Sequence, residues 1–174
     1  MDMNFPAKRN ELGADWQRKY KVFIMHGWSG SGKTTYVNEN IRNYGKYIQN
    51  VDVVCSADDY MMVDGVYSWQ ADKLQDAHEK CQTKCEEAMK AEVERIWIDN
   101  TNTKREDCEF YIMKAIEYKY QVFHIFCTHE LGRYNGKAPF HVALNQQVEM
   151  YRNYGIGIDP QTAKDFALDK EKLK

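Results

Sequence analysis

No long run of apolar residues occurs in this sequence, and residues 1–20 are largely polar. A membrane-spanning helix needs about 20 consecutive apolar residues, and a signal peptide needs a shorter apolar core near its start. We therefore expect no signal peptide, no membrane span and no membrane partner. The five cysteines are an odd number and are scattered, so they do not indicate a disulfide framework. These absences predict an intracellular protein of a reducing compartment, either the cytoplasm or the nucleus.

The sequence also lacks an excess of charge of either sign. The 24 basic and 26 acidic side chains give a formal net charge of -2. A protein with this balance has no overall electrostatic attraction to nucleic acid, so any contact with nucleic acid must be local. Internal repeats, low-complexity tracts and a convincing linker are missing as well. The 174 residues therefore predict a single domain over residues 1–174.

The segment GWSGSGKT at residues 27–34 follows the apolar run VFIM at residues 22–25, with only His26 between them. It matches the pattern G-x-x-x-x-G-K-T, the phosphate-binding loop between a buried strand and a helix. In such a loop the backbone N–H groups and the helix N-terminus surround phosphate oxygens. The pattern predicts that the chain binds ATP or another nucleoside triphosphate with Mg²⁺. The residues expected to contact the nucleotide are Gly27, Ser29, Gly30, Ser31, Gly32, Lys33, Thr34 and Thr35.

Lys33 and Thr34 have distinct expected roles in this loop. The Lys33 ammonium is a positive charge for the β- and γ-phosphates, and it counts among the predicted catalytic residues. The Thr34 hydroxyl is placed to bind Mg²⁺. Asp99 follows an apolar strand, a position where P-loop enzymes place a second acid that orders Mg²⁺. An aspartate that only caps the loop is the alternative for Asp99.

Apolar patterning predicts strands that alternate with helices along the chain. The predicted strands cover residues 21–25, 51–55, 96–98 and 122–127, and the predicted helices cover 33–44, 72–95, 106–118 and 142–154. Shorter helices are expected at 11–19 and from residue 161, a loop at 61–68, and a mobile lid at about 128–140. The alternation favours the α/β class, with the P-loop NTPase fold and a central parallel sheet flanked by helices.

Polar residues follow the predicted strands where ligands bind in such a sheet. Asp58 and Asp59 come after the second strand, and the sequence shows no obvious glutamine to position a water. A carboxylate at this place suits phosphoryl transfer to a hydroxyl, because it accepts the hydroxyl proton. Asp58 is the candidate base, since it lies closer to the strand end. An aspartate that caps a turn, beside a solvated neighbour, is the alternative.

Two further groups of residues have a structural and a functional interpretation. His78, Cys81 and Cys85 fall on one helix face, but no fourth ligand is evident, so a core role is favoured over zinc binding. The aromatic residues near the expected site either stack on a base or pack against the domain. These aromatic residues are Trp28, Tyr60, Tyr67 and Trp69.

The ordered combination of DDY at 58–60, YSW at 67–69 and DNTNT at 99–103 resembles the polynucleotide 5′-hydroxyl kinases, P-loop kinases of the AAA type. It is most similar to the kinase-like domains of eukaryotic ubiquitin-ligase-binding proteins, and the resemblance covers roughly residues 22–152. It implies phosphoryl transfer from ATP to the 5′-hydroxyl of a DNA or RNA end, with Asp58 as general base. The acceptor-side residues that it implies are Asp59, Tyr60, Asn100, Thr101 and Asn102.

The sequence departs from this family at two places. Met61 stands where the phage polynucleotide kinase, a more distantly similar member of the family, has an arginine. The expected lid contains one arginine, Arg133. Arg133 is therefore the predicted cation for the transferring phosphate, with an exposed surface arginine as the alternative. Two rival functions stay open at this point. They are a kinase of a small hydroxyl compound, such as a nucleoside or a modified base, and a non-catalytic nucleotide-binding module. The sequence does not identify any protein partner.

Overall fold

A computed structural model describes residues 20–47, 51–128 and 138–172 of the chain. The strands are β1 (Lys21–His26), β2 (Asp52–Cys55), β3 (Met62–Val63), β4 (Val66–Tyr67), β5 (Arg95–Ile98) and β6 (Gln121–Phe126). The helices are α1 (Lys33–Gly45), α2 (Leu74–Lys90), α3 (Glu109–Glu117), α4 (Phe140–Tyr154) and α5 (Pro160–Lys172). Short 3₁₀ helices cover Ala57–Met61, Ala71–Lys73 and Glu106–Cys108.

Four strands form a parallel sheet in the order β2-β5-β1-β6. Alternate residues of a strand face opposite sides of a sheet, and the core divides accordingly. Val22 and Ile24 of β1 belong to one buried cluster, which includes the apolar stripe of α2. Met25 of β1 and Val37 of α1 belong to a second cluster. The predicted α/β fold, a parallel sheet flanked by helices, is confirmed.

The segment predicted as a loop at 61–68 contains a β-hairpin instead. Strands β3 and β4 pair antiparallel around Asp64 and Gly65, whose φ angles are 51° and 80°. Two consecutive residues with positive φ make the turn type whose twist matches a hairpin, and Asp-Gly is one of its preferred sequences. The prediction used Gly65 only as a turn signal and missed the short strands on either side. The hairpin is relevant to the site because it directly follows the 3₁₀ helix Ala57–Met61, which carries Asp58 and Asp59.

The helix predicted over residues 72–95 ends earlier, at Lys90. Glu92 takes a left-handed conformation with φ 54°, the N–H of Glu92 donates to the carbonyl of Met89, and that of Val93 donates to the carbonyl of Ala88. This hydrogen-bond pattern closes a helix C-terminus, usually with glycine at the left-handed position. Because a glutamate occupies that position, no glycine marks the end of the helix in the sequence. Arg95 therefore begins β5 rather than ending a helix.

The other predicted elements differ from the structure by a few residues at their ends. The helix predicted at 11–19 and most of the lid predicted at 128–140 fall outside the described residues. Within the described parts of the chain, no helix is both long enough and apolar enough to cross a membrane.

Candidate nucleotide and acceptor site

The loop at residues 27–34 connects β1 to α1, as the sequence predicts. Gly32 precedes the first turn of α1 with φ 95°, a conformation that side chains with a Cβ rarely adopt. At Gly27 a Cβ atom would lie 2.7 Å from the carbonyl oxygen of Cys127 and would also meet the Ser31 hydroxyl. The loop can therefore pass this close to the end of β6 only with glycine at position 27.

Lys33 lies inside the loop and is 9% exposed. Its ammonium donates to the carbonyl oxygens of Gly27 and Trp28, each at 2.9 Å. The positive charge is thereby held at the mouth of the loop, where phosphate oxygens are expected. Trp28 is 2% exposed, so its ring packs in the core, and the packing interpretation holds for this residue. Thr35, by contrast, is exposed on the first turn of α1.

Thr34 and Asp99, the two predicted Mg²⁺ ligands, are in direct contact. The Thr34 hydroxyl donates to Oδ2 of Asp99 at 2.8 Å. The other carboxylate oxygen, Oδ1, is buried and has no hydrogen-bond partner in the described part of the chain. Burial raises the pKa of Asp99, while the Thr34 hydrogen bond and the Lys33 charge act in the opposite direction.

An unpaired carboxylate oxygen beside a hydroxyl fits Mg²⁺, which prefers oxygen ligands. No group of three or more histidine, cysteine or acidic side chains suited to a metal ion occurs in the described residues. Mg²⁺ commonly keeps several waters and binds through one or two protein groups plus substrate phosphates. The Thr34–Asp99 pair is therefore compatible with a Mg²⁺ that arrives together with a nucleotide.

Asp58 and Asp59 lie on the 3₁₀ helix that follows β2, and both are exposed. Their charges contribute to the raised pKa of Asp99, with Asp58 contributing more than Asp59. Asp59 has an ion-pair contact at 3.9 Å with Lys84 on α2. Both carboxylates thus lie near enough for their charges to act on Asp99, and the choice of Asp58 as the base stays a prediction.

The loop after β5 fixes its neighbours in place. The side-chain oxygen of Asn100 accepts from the N–H of Ala57 at 2.8 Å, next to Asp58. The side-chain N–H of Asn102 donates to the carbonyl of Met25 at 2.7 Å. The carbonyl of Thr101 accepts from the N–H of Gly27 at 3.0 Å. Asn100 and Asn102 are buried and position the two site loops, while acceptor contacts by residues 100–102 stay a prediction.

Two histidines on the neighbouring strands β1 and β6 form a hydrogen-bonded pair that the sequence did not predict. His26 Nδ1 lies 2.8 Å from the carbonyl oxygen of Asn102, so this nitrogen carries the proton. Nε2 of neutral His26 is then the acceptor for Nδ1–H of His124, at 2.8 Å. Burial lowers the pKa of His26 to about 4, and it also lowers the pKa of His124. Partners 98 residues apart leave no local signal in the sequence.

We expect the His26 pair to make stability depend on pH. Between pH 6.5 and about 4 the unfolded chain binds a proton at His26 that the folded protein does not bind. The free energy of unfolding therefore decreases as the pH is lowered through this range. The loss amounts to about 3 kcal/mol by pH 4. Urea unfolding at pH 7 and pH 5 measures the part of this loss that is complete by pH 5, about 2 kcal/mol. His26→Gln should flatten the slope, and the exposed His141→Gln is the control. An equal slope in His26→Gln and the wild type would contradict this prediction.

Helix α4 contacts the site through Gln146, which the sequence analysis also missed. The side-chain oxygen of Gln146 accepts from the N–H of Ser29 in the phosphate loop at 2.8 Å. The polar residues of α4 look like an ordinary solvated helix face in the sequence. Arg152 on the same helix is exposed. Arg133 lies outside the described residues, so its predicted role is untested.

The cysteines on α2 belong to the core. Cys81 and Cys85 are fully buried, and the Cys81 sulfur accepts from Asn100 and from the Tyr111 hydroxyl, each at 3.4 Å. The neighbouring Cys85 thiol and burial raise the pKa of Cys55 on β2. The favoured core interpretation therefore holds for Cys81 and Cys85, whereas His78 is only half-buried, and all five cysteine thiols are free.

Comparison with models of protein families shows to which family the chain belongs. The profile of the AAA domain family matches residues 22–135, which include the phosphate loop, Asp58 and Asp99. The chain belongs to this family. This AAA domain is a P-loop kinase-like domain, and its fold implies the binding of a nucleotide.

Individual relatives of this AAA domain are distant. It is similar to human NEDD4-binding protein 2, with 28% identity over 144 residues, covering 76% of this chain and 8% of that protein. It thus spans a small part of the curated relative that it matches. Two solved structures share its fold at 17% identity. One is of the Pnkp1/Rnl/Hen1 complex, with TM-score 0.50 and coverage of 77% of this chain and 46% of the other. The second, of the Pnkp1/Rnl/Hen1 RNA repair complex, has TM-score 0.51 and coverage of 89% and 46%.

Proposed function

We propose that this AAA domain is a polynucleotide 5′-hydroxyl kinase, which transfers the γ-phosphoryl group of ATP to the 5′-hydroxyl of a DNA or RNA end. The observation that carries the proposal is the position of Asp58. This carboxylate is exposed to an incoming acceptor, and it follows Ala57, whose N–H donates to Asn100, the residue after Asp99 of the Thr34–Asp99 pair. The fold shared with a chain of an RNA repair complex is consistent with a nucleic-acid acceptor.

On the donor side, the triphosphate of ATP lies along residues 27–34 with Lys33 at the β- and γ-phosphates. Thr34 and Asp99 hold Mg²⁺, which when bound neutralises phosphate charge. Arg133, outside the described residues, stays the cation predicted from the sequence for the transferring group. These assignments use the held ammonium of Lys33 and the unpaired oxygen of Asp99 described above.

On the acceptor side, Asp58 accepts the proton of the 5′-hydroxyl as its oxygen attacks the γ-phosphorus. The bond from the γ-phosphorus to the bridging oxygen breaks, and ADP leaves with that electron pair. Asp59 and Tyr60 flank this position from the same 3₁₀ helix. Asn100 holds the helix through the N–H of Ala57, which keeps Asp58 at a fixed distance from the donor side.

The hairpin β3–β4 and the residues after it offer the acceptor an aromatic surface. Tyr67 is 47% exposed and Trp69 is 60% exposed. Burial and the nearby charge of Asp58 raise the pKa of Tyr67, and the N–H of Ser68 donates to the carbonyl of Met61 at 2.8 Å. The Tyr67 ring therefore lies close to the proposed base, and Trp69 follows two residues later in the chain. The nucleobase next to the 5′-hydroxyl can stack on such rings, so the acceptor can bind without a positively charged surface.

Replacing Trp69 by alanine is expected to raise KM for a 5′-hydroxyl oligonucleotide by about tenfold, because base–aromatic stacking contributes about 1–3 kcal/mol. The KM for ATP should stay within about twofold of wild type, since Trp69 is not in the phosphate loop. Steady-state kinetics measures both constants, and Trp69→Phe keeps a stacking face as the matched control. An unchanged oligonucleotide KM in Trp69→Ala would exclude the ring from acceptor binding.

The direct test of the proposed function is label transfer from γ-labelled ATP with Mg²⁺ to 5′-hydroxyl DNA and RNA oligonucleotides, tested in parallel. We expect label at the 5′ end with the wild type and its loss with Asp58→Ala. The relative rates on DNA and RNA establish the preferred acceptor. No label on either, with intact ATP binding, would refute the polynucleotide acceptor.

A kinase of a small hydroxyl compound is the second candidate, because Met61 is buried and presents no cation to a nucleic-acid backbone. The salt dependence of KM distinguishes the two candidates. KM for an acceptor that releases counterions rises steeply with salt, and KM for a neutral small acceptor does not. Undetectable transfer over a broad panel of acceptors would favour a non-catalytic nucleotide-binding module.

A further inference from the structure

Three polar residues on one face of α4 contact loops on both sides of the site. Gln146, Glu149 and Asn153 are spaced by three and four residues, so they lie in a row along the helix. Gln146 accepts from the N–H of Ser29 in the phosphate loop at 2.8 Å. The distance along α4 from Gln146 to Asn153 is about 10 Å. A single rigid element of this length can therefore span both substrate sides.

The other end of the row binds the loop that leaves β5. Glu149 Oε2 accepts from the Thr103 hydroxyl at 2.8 Å, and its Oε1 lies 3.4 Å from the Lys104 ammonium. Asn153 Oδ1 accepts from the N–H of Arg105 at 3.3 Å, while Arg105 Nε donates to the carbonyl of Asn153 at 3.0 Å. This loop also includes Thr101, next to the proposed acceptor.

We call the loop that leaves β5, residues 99–105, the acceptor loop. We propose that α4 couples nucleotide binding to the order of this acceptor loop through the row of polar residues, with Gln146 and Glu149 as positioning residues. The coupling rests on the nucleotide site of the proposed function. It needs two arrangements of the helix, one with both loops attached to the row and one with them released. Each substrate binds the attached arrangement more tightly, because its own loop is in place there. Either substrate then raises the affinity for the other, as thermodynamic linkage requires.

The direct contact between the two loops does not make α4 redundant. The N–H of Gly27 donates to the carbonyl of Thr101 at 3.0 Å, which ties the first residues of both loops. Ser29 and residues 103–105 lie further along each loop, and their contacts described above go to α4. The distal half of the acceptor loop is therefore the part whose order should depend on the row.

Amide hydrogen exchange at Arg105 tests the coupling with nucleotide alone. In the wild type we expect a saturating non-hydrolysable ATP analogue with Mg²⁺ to slow this exchange about five- to tenfold, within the usual range of coupling between sites. Gln146→Met removes the acceptor of the Ser29 N–H while keeping a similar shape, and it should abolish the slowing. Asn145→Ala, at an exposed neighbour on α4, is the matched control and should keep it.

Glu149→Met interrupts the row from its other end and is expected to reduce the slowing as well, so the test does not depend on one variant folding. Equal slowing in both variants and the wild type, or no slowing in the wild type, would overturn the coupling. The exchange experiment contains no acceptor. Protection of Arg105 by nucleotide together with no label on any oligonucleotide would therefore refute the proposed acceptor and still support the coupling.

Discussion

Replacing Asp58 by asparagine is expected to lower the rate of phosphoryl transfer by about 10²–10⁴-fold, the usual contribution of a positioned general base. Asparagine has the same shape and cannot accept the hydroxyl proton. Because Asp58 is exposed and lies outside the phosphate loop, the affinity for ATP should stay within about twofold of wild type. Single-turnover transfer and ATP titration measure the two effects separately.

Asp59→Asn is the matched control for this prediction. Asp59 is the adjacent carboxylate, is also exposed, and has an ion-pair contact at 3.9 Å with Lys84. Exposed ion pairs contribute little to stability, so we expect near-normal folding and a far smaller loss of rate than for Asp58→Asn. Full turnover in Asp58→Asn would remove this carboxylate from the mechanism. A larger loss in Asp59→Asn would assign the base to the neighbouring carboxylate instead.

Replacing Lys33 by alanine is expected to weaken ATP binding and to slow transfer together, with about 10²–10³-fold lost from the chemical step. The ammonium is held by the carbonyl oxygens of Gly27 and Trp28, so its charge is already aimed into the loop before a phosphate arrives. A preorganised charge of this kind stabilises phosphate oxygens in both the bound and the transition state. Calorimetric titration of ATP and transfer kinetics measure the two losses.

Lys33→Ala also leaves the two carbonyl oxygens without this donor, so the fold of the variant needs its own measurement. Thermal unfolding shows whether the variant is folded, and Lys33→Arg keeps the positive charge in a bulkier group. Lys46→Ala, at an exposed lysine after α1, is the control for a general loss of charge. An unchanged ATP affinity and rate in folded Lys33→Ala would contradict the role of the lysine.

The parts of the site that could be predicted are those with short-range sequence signals. The spacing of the phosphate loop fixes Lys33 and Thr34, and an acid at a strand end indicates Asp99. The contact between Thr34 and Asp99 then follows, because the carboxyl ends of parallel strands meet at one edge. The end of α2 was missed for a local reason. Glu92 occupies the left-handed position that glycine usually fills.

The contacts that could not be predicted join residues far apart in the chain. His26 meets His124, and Ser29 meets Gln146, 117 residues further along. Such pairs depend on which strands become neighbours and on where α4 lies relative to the phosphate loop, and neither is encoded in local periodicity. The short strands of the hairpin fall between the two cases. Its Asp64-Gly65 turn was readable, and the flanking strands of two residues each were too short to show alternation.

The central place of β5 in the sheet determines when the site comes into being. Strand β5 pairs with β2 on one side and β1 on the other, although β1 and β2 precede it in the chain. The two loops can meet Asp99 and Asn100 only after β5 has inserted between them, and such contacts close long stretches of chain. Partly folded forms that lack this insertion have neither the contact between Thr34 and Asp99 nor the hydrogen bond that holds Ala57 beside Asp58. The protein is therefore expected neither to bind nor to use ATP until β5 has joined the sheet between β2 and β1.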